Sequence, residues 1–354
     1  MSLSRHIEVF FERLTNPLDR WRLYLLRILA PFLRPLIRSS AHRVCVTASL
    51  GFLLATLISL KIPLWQLALG PIIWGIPHLI GDLRYLVVRR GLLKSIGFWL
   101  LIALPLLYFT YRPSFVYTLI ALSGATLLGY FHGRRQAQNQ HRVILRRAGC
   151  VLSFVLGAYF FTRAYPLHAH FILLHGHNLI TLGIWWKWRD KRAWWELIPL
   201  LVLIACSSLI LFGWEANEWR VATLESAWQP PNLSLRYFEI TLASVFPEAW
   251  RPQWVVLYGL LQSAHYLVWV RLIPEEARER ETPITFRRSL QRLSEDFGPL
   301  IVCLMIIGMI GLAFWAFFDV SAARLNYLKL IGAHASLEIA MIGYLYTAVE
   351  SAQD

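Results

Sequence analysis

The chain has 354 residues, 57% of them hydrophobic and only 16% charged, with a mean hydropathy of +0.49. That balance excludes a soluble globular domain and points to an all-α, polytopic integral membrane helix bundle, because backbone inside a bilayer must satisfy its own hydrogen bonds. The formal charge of +14 would suggest nucleic acid if it formed one patch, but 27 of the 35 Lys and Arg residues fall in five short clusters, at 1–43, 84–94, 134–147, 187–192 and 271–292. Apolar runs separate these clusters, so the charge marks one side of a membrane and no nucleic-acid partner is expected.

Residues 1–43 read as a cytoplasmic amphipathic arm. Trp21, Tyr24, Leu25 and Ile28 recur at i, i+3, i+4, i+7 beside Arg20, Arg22 and Arg27. This is the pattern of a helix lying on the inner leaflet against membrane lipids, and Pro31 and Pro35 are expected to end it. Apolar segments follow near 44–61, 63–88, 93–111, 114–132, 147–163, 165–186, 193–213, 253–272, 297–318 and 324–348. Ten crossings that start inside put every basic cluster on the cytoplasmic side of a bacterial inner membrane, with both termini inside. Residues 44–348 then form a single polytopic membrane domain. Its long outer connection, 214–252, contains RYFEITLASVF at 236–246, expected as an interfacial helix or short re-entrant piece. The long inner connection, 271–296, carries PEEARERETP and FRRSLQR and is expected as a solvated loop with a short helix. Cys45, Cys150, Cys206 and Cys303 lie in apolar segments without paired spacing, which excludes a disulfide framework and a thiolate metal site.

His6, His42 and His141 lie in basic segments, whereas the other eight histidines all fall on even-numbered expected spans. Those spans run in one direction, so depth can be counted back from their cytoplasmic ends at about 1.5 Å per residue. His78 lies 11 residues before Arg89, His175 and His177 lie 12 and 10 before Lys187, and His265 lies 6 before Arg271. His334 and Glu338 lie 14 and 10 residues before position 348. All of these fall in one slab of the inner half of the bilayer. His132, 2 residues before Arg134, is expected near the interface, and His168 and His170 at the outer periphery.

Helical phase adds a second constraint. His78 with Asp82, and His334 with Glu338, are i, i+4 pairs that share a face. Gln262, His265, Tyr266 and Trp269 form a polar and aromatic stripe on an otherwise aliphatic helix. In HAHFILLHGHN, 168–178, a regular helix aims His175 and His177 to nearly opposite sides, unless Gly176 loosens the turn and admits both. The candidate metal ligands are therefore His78, His175, His177, His265 and His334. Asp82 is expected to accept the free N–H of His78, with pairing to Arg84 as its structural alternative. Glu338 does the same for His334 or joins the ligands, and Tyr266 and Trp269 line a substrate channel. Any one of these imidazoles taken alone reads equally well as a hydrogen bond between helices.

Neutral imidazoles without thiolates or a ring of carboxylates exclude Ca and Mg and leave the transition metals. In a bilayer a redox metal has a natural task, to use O2 on a lipophilic small molecule that enters between helices. The chain has no adjacent histidine pair, which sets it apart from di-iron desaturases. A proton-coupled transporter is the alternative, since buried His, Asp and Glu also build proton relays, although GPIIWGIP at 70–77 has no counterpart in the second half.

Gly75-Ile76-Pro77-His78, followed by Asp82, resembles the G-x-P-H-G-x-x-D signature of the Brp/Blh family of membrane β-carotene-cleaving dioxygenases, with Leu79 where that family carries glycine. The resemblance covers about eight residues. It implies a multi-span protein with histidine-bound iron, His78 as an iron ligand and Asp82 as its support. Iron is accordingly the expected metal, with copper or zinc as alternatives, and a carotenoid, other isoprenoid or lipid the expected substrate.

Overall fold

A computed structural model of the protein describes residues 3–136, 140–189, 194–212, 229–278 and 282–348. Residues 214–228 of the long outer connection and 279–281 of the inner one lie outside the described residues. The helices are α1 (Leu3–Arg38), α2 (Ser40–Lys61), α3 (Pro63–Asp82), α4 (Ile96–Tyr111), α5 (Phe115–Gln136), α6 (His141–Ala164) and α7 (Pro166–Trp188). They continue with α8 (Ile198–Phe212), α9 (Leu235–Leu242), α10 (Arg251–Leu267), α11 (Phe286–Phe297), α12 (Pro299–Phe318), α13 (Val320–Ile331) and α14 (His334–Thr347).

The chain is a polytopic membrane helix bundle, with no strand among the described residues. Among the described residues eight helical stretches are long and apolar enough to cross a bilayer, α13 and α14 together forming the last of them, and α4 is a shorter apolar helix. At 23 residues α7 also has the length, but its four histidines and Asn178 make it less apolar than those eight. The ten expected spans are largely helical among the described residues, but α4 is short and α7 less apolar, so eight rather than ten qualify as crossings. The stretch built on α10, Glu248–Glu276, is 78% buried over its apolar window, against 11% for α6 and for α12, so α10 is the central helix and those two sit at the rim.

Two helices widen just past the residues of interest. After Asp82, α3 continues as π-helix over Leu83–Val88, and α10 continues as π-helix over Val268–Leu272. The last turn of α3 meets the widened turn of α10 closely: a Cβ on Gly81 would lie 2.8 Å from the Trp269 carbonyl oxygen. Glycine there lets two backbones meet where any side chain would hold them apart.

The N-terminal arm differs from expectation in one respect. α1 runs on through Pro17, Pro31 and Pro35 to Arg38. Each proline removes a single backbone donor, and packing against α2, α11 and α12 outweighs that loss. The helix ends at Ser39, whose hydroxyl caps α2 by accepting the His42 N–H at 3.3 Å. Arg43 then satisfies the terminal carbonyls of Leu36 and Ile37 at 2.6 and 3.1 Å. Trp21, Tyr24, Leu25 and Ile28 are exposed along the arm.

Ion pairs fasten the basic end of the bundle. Glu275, buried at the end of the α10 extension, takes Arg43 at 2.7 Å, Arg278 at 2.7 Å and Arg271 at 3.1 Å. Asp296 on α11 takes Arg84 and Arg89, so Arg84 is not the partner of Asp82. At the opposite end the 236–246 segment is helical as far as Leu242, in α9, which is capped by the Ser234 hydroxyl and packed on α10.

Small residues join α5 to α14. A Cβ on Gly129 would lie 2.6 Å from the Tyr344 carbonyl oxygen, and one on Gly343 2.6 Å from the Leu122 side chain. The Gly129→Ala variant is therefore expected to lose about 1–3 kcal/mol through overpacking, read as a lowered Tm of the detergent-solubilised protein. Gly308→Ala on α12, where a Cβ meets nothing within 4 Å, should leave Tm unchanged or raise it slightly.

Candidate metal centre

Four histidines from four helices meet in the bundle. His78 comes from α3, His177 from α7, His265 from α10 and His334 from the first residue of α14. Their rings pack edge to face, with centroids 5.2 Å apart for His78 and His265, 5.0 Å for His78 and His334, 5.3 Å for His177 and His265, and 5.6 Å for His177 and His334. His265 and His334 are 6.0 Å apart. His78, His265 and His334 each offer a ligand atom within 4.8 Å of the others. Two nitrogens bound to one ion at about 2.1 Å each lie at most about 4.2 Å apart, so the rings are close to sharing one.

Local hydrogen bonds fix which nitrogen carries the proton. His78 Nδ1 lies 3.0 Å from the Trp74 carbonyl, His177 Nδ1 lies 3.0 Å from that of Leu173, and His334 Nδ1 lies 2.8 Å from that of Ile331. A carbonyl can only accept, so each of these Nδ1 atoms is the N–H and each Nε2 keeps its lone pair. For His265 the acceptor is the Thr181 hydroxyl at 2.9 Å, whose own proton goes to Glu338 Oε2 at 2.8 Å. Nε2 is again the lone-pair nitrogen. The Nε2 atoms of His78 and His265 are buried with no hydrogen-bond partner among the described residues. An imidazole held neutral, with a free inward lone pair, is the donor a transition metal requires, so the residues present fit one.

His175 does not join. Its Nε2 donates to the Leu242 carbonyl of α9 at 3.0 Å, and its ring packs against Phe171, Trp254 and Tyr258. The reason is the helix itself. α7 is continuous through Gly176, and residues two apart on a helix face nearly opposite ways. His132 pairs with the Tyr344 hydroxyl at 3.0 Å, outside the cluster, and His168 and His170 are exposed.

The two carboxylates have other neighbours than their helical spacing suggests. The N–H of His78 is taken by Trp74, so Asp82 does not receive it. Instead the fully buried carboxyl of Asp82 lies against that of Glu338, and Asp82, Glu338 and His265 form a second close group. Glu338 does not reach the N–H of His334, which goes to Ile331. It accepts from Thr181 and, at 2.8 Å, from the Trp269 indole, and its Oε1 is 3.5 Å from His265 Nε2. Trp269 accordingly is no channel residue but a donor that positions Glu338. Tyr266 packs on His78 at 4.6 Å between centroids and does line a cavity of about 620 Å³, together with His177, His334, Asn178 and Gln262.

Sequence reasoning missed Thr181, the hub of this arrangement. Its signal was its place one turn beyond His177 on an otherwise apolar stretch, where a hydroxyl shares the histidine's face. Comparison with protein-family models, with curated proteins and with solved structures finds no match to the chain.

Thr181→Val keeps the volume but removes the hub, leaving the His265 N–H and one oxygen of Glu338 unpaired. A loss of about 1–3 kcal/mol per orphaned group is expected, read as a fall in Tm that Thr181→Ser does not reproduce.

Proposed function

We propose that the protein is a membrane-embedded, metal-dependent oxidoreductase that uses O2 on a lipophilic substrate reached from the bilayer. The observation that carries this reading is the set of four imidazoles packed edge to face with each Nδ1 committed to an acceptor, three of which, His78, His265 and His334, bring a ligand atom within 4.8 Å of one another. His78, His177, His265 and His334 would hold the metal. Iron is the preferred ion, with copper or zinc as alternatives, since imidazole suits all three. Bound there, iron or copper would supply the redox chemistry that protein side chains lack, which zinc cannot.

The chain's own residues supply the rest. Thr181 and Trp269 hold Glu338 beside His265, and Asp82 beside Glu338 gives the centre a buried acidic edge where a proton can be taken up or released. The apolar cavity that reaches His177, His334 and Tyr266 binds the substrate and excludes water from the metal side. Such a site sits naturally in a bacterial inner membrane with both termini cytoplasmic. The cluster of ion-paired arginines around Glu275 and Asp296 supports that orientation, because basic loops stay inside. The exposed Trp21, Tyr24, Leu25 and Ile28 of α1 then lie against the lipids of the inner leaflet.

A proton-coupled transporter is the second reading, favoured by the facing carboxyls of Asp82 and Glu338. Metal analysis separates the two. Under the oxidoreductase reading the purified protein carries a redox metal. His78→Ala and His265→Ala lose it, and His132→Ala and His175→Ala keep it. A wild-type protein that purifies with neither metal nor haem, and gains no thermal stability from added Fe(II), Cu or Zn, would overturn the oxidoreductase reading in favour of the transporter.

A further inference from the structure

Among the described residues three arginines are at least nine-tenths buried: Arg43, Arg189 and Arg324. Arg43 pairs with Glu275 at 2.7 Å, and Arg189 lies 3.4 Å from both Glu196 and Glu276. Arg324 is 5% exposed and stands inside the Val320–Thr347 stretch, yet it has no carboxylate partner among the described residues. Its Nε donates to the Leu67 carbonyl at 2.9 Å and its guanidinium lies 5.1 Å from the Phe238 ring centre. These contacts hold the group still but bring no negative charge. Nη1 is buried without an acceptor. A buried cation left in this state is costly, and a chain that pairs its other buried arginines has reason to keep this one open only if something else completes it.

What completes it must come through the cavity. Arg324 lines the same 620 Å³ space as His177 and His334. No aspartate or glutamate lines it, and Lys329 adds a second cation, while Leu173, Leu174 and Leu328 supply apolar wall. Arg324 precedes His334 by ten residues on one span, about 15 Å at the helical rise. Tyr258, Gln262 and Tyr266, one turn apart on α10, mark the wall between the two ends. The geometry points to an amphiphile with a single anionic headgroup, a carboxylate or a phosphate, held by Arg324 while its apolar chain extends to the histidine centre. This assignment rests on the cavity's being the substrate site. It narrows the substrate class from any lipophilic molecule to a long-chain anion and disfavours an uncharged hydrocarbon.

The test is binding by the full chain in an uncharged detergent, followed by tryptophan fluorescence or by Tm. Oleic acid, oleyl phosphate, methyl oleate, acetate and inorganic phosphate are titrated separately. The wild type is expected to bind oleic acid or oleyl phosphate about tenfold or more tightly than methyl oleate, as a charge-assisted hydrogen bond requires, and the tighter of the two identifies the headgroup. Arg324→Gln should abolish the preference over the ester, and Arg324→Lys should retain part of it. Equal binding of ester and anions, a preference that survives Arg324→Gln, or acetate or phosphate alone binding as tightly as the amphiphiles would each overturn the proposal. If Arg324→Gln does not fold, the wild-type comparison of anion with ester decides alone. His78→Ala is expected to keep the preference, so a failed metal analysis and a failed headgroup site are told apart.

Discussion

The histidine centre depends on one kind of hydrogen bond, from an imidazole Nδ1 to an acceptor one helical turn away or on the facing helix. In water either nitrogen of a neutral histidine can carry the proton. Inside a bilayer there is no solvent to decide, and a backbone carbonyl at Trp74, Leu173 or Ile331 decides instead. The helix therefore acts twice. It carries the ring to its depth, and its own carbonyl sets the tautomer. At His265 the same task falls to Thr181, which draws Glu338 and Trp269 into the arrangement. Buried polar groups in such a network stabilise the fold only while all are paired, so the centre and the bundle specify each other.

Much of the architecture was legible because a bilayer constrains it so strongly. Composition gave a membrane bundle, and apolar length gave its helical segments, eight of which among the described residues are long and apolar enough to cross a bilayer against the ten expected. Counting residues back from the basic loops also brought together four of the histidines that the structure joins, His78, His177, His265 and His334. Rotation about each helix axis and the partner across the interface were not legible. Spacing says that His78 and Asp82 share a face, but the choice of Glu338 as the neighbour of Asp82 is made by a different helix. The same limit applies to the stripe on α10, which the structure splits into Gln262 with Tyr266 toward the cavity and His265 with Trp269 toward Glu338. Arg324 stood in plain view as an arginine at the start of an apolar segment, and only its lack of a carboxylate, a tertiary fact, sets it apart. The run of α1 through three prolines also escaped prediction, because packing against neighbouring helices outweighs a local penalty.

Close approach of backbones brings the polar groups of neighbouring helices together. Gly81 admits the widened turn of α10 at Trp269, and Gly129 and Gly343 let α5 and α14 touch. A π-helical turn leaves carbonyls less regularly paired than an α-turn and is kept where it re-aims a side chain. Here one follows Asp82 and another contains Trp269, so these two lie beside the carboxyl pair, while a third, Trp99–Ala103, falls within α4.

Gly75, the first letter of the G-x-P-H stretch, has a packing reason of its own. A Cβ at that position would run into the ring and hydroxyl of Tyr327 on α13. The glycine is thus the imprint of an aromatic residue more than two hundred positions away in the chain. Inheritance should respect that link: among relatives of this protein the two sites ought to drift together, glycine persisting where a bulky ring faces it and larger residues appearing only where that ring has shrunk. A motif read along the chain would then be half of a pair written across the fold.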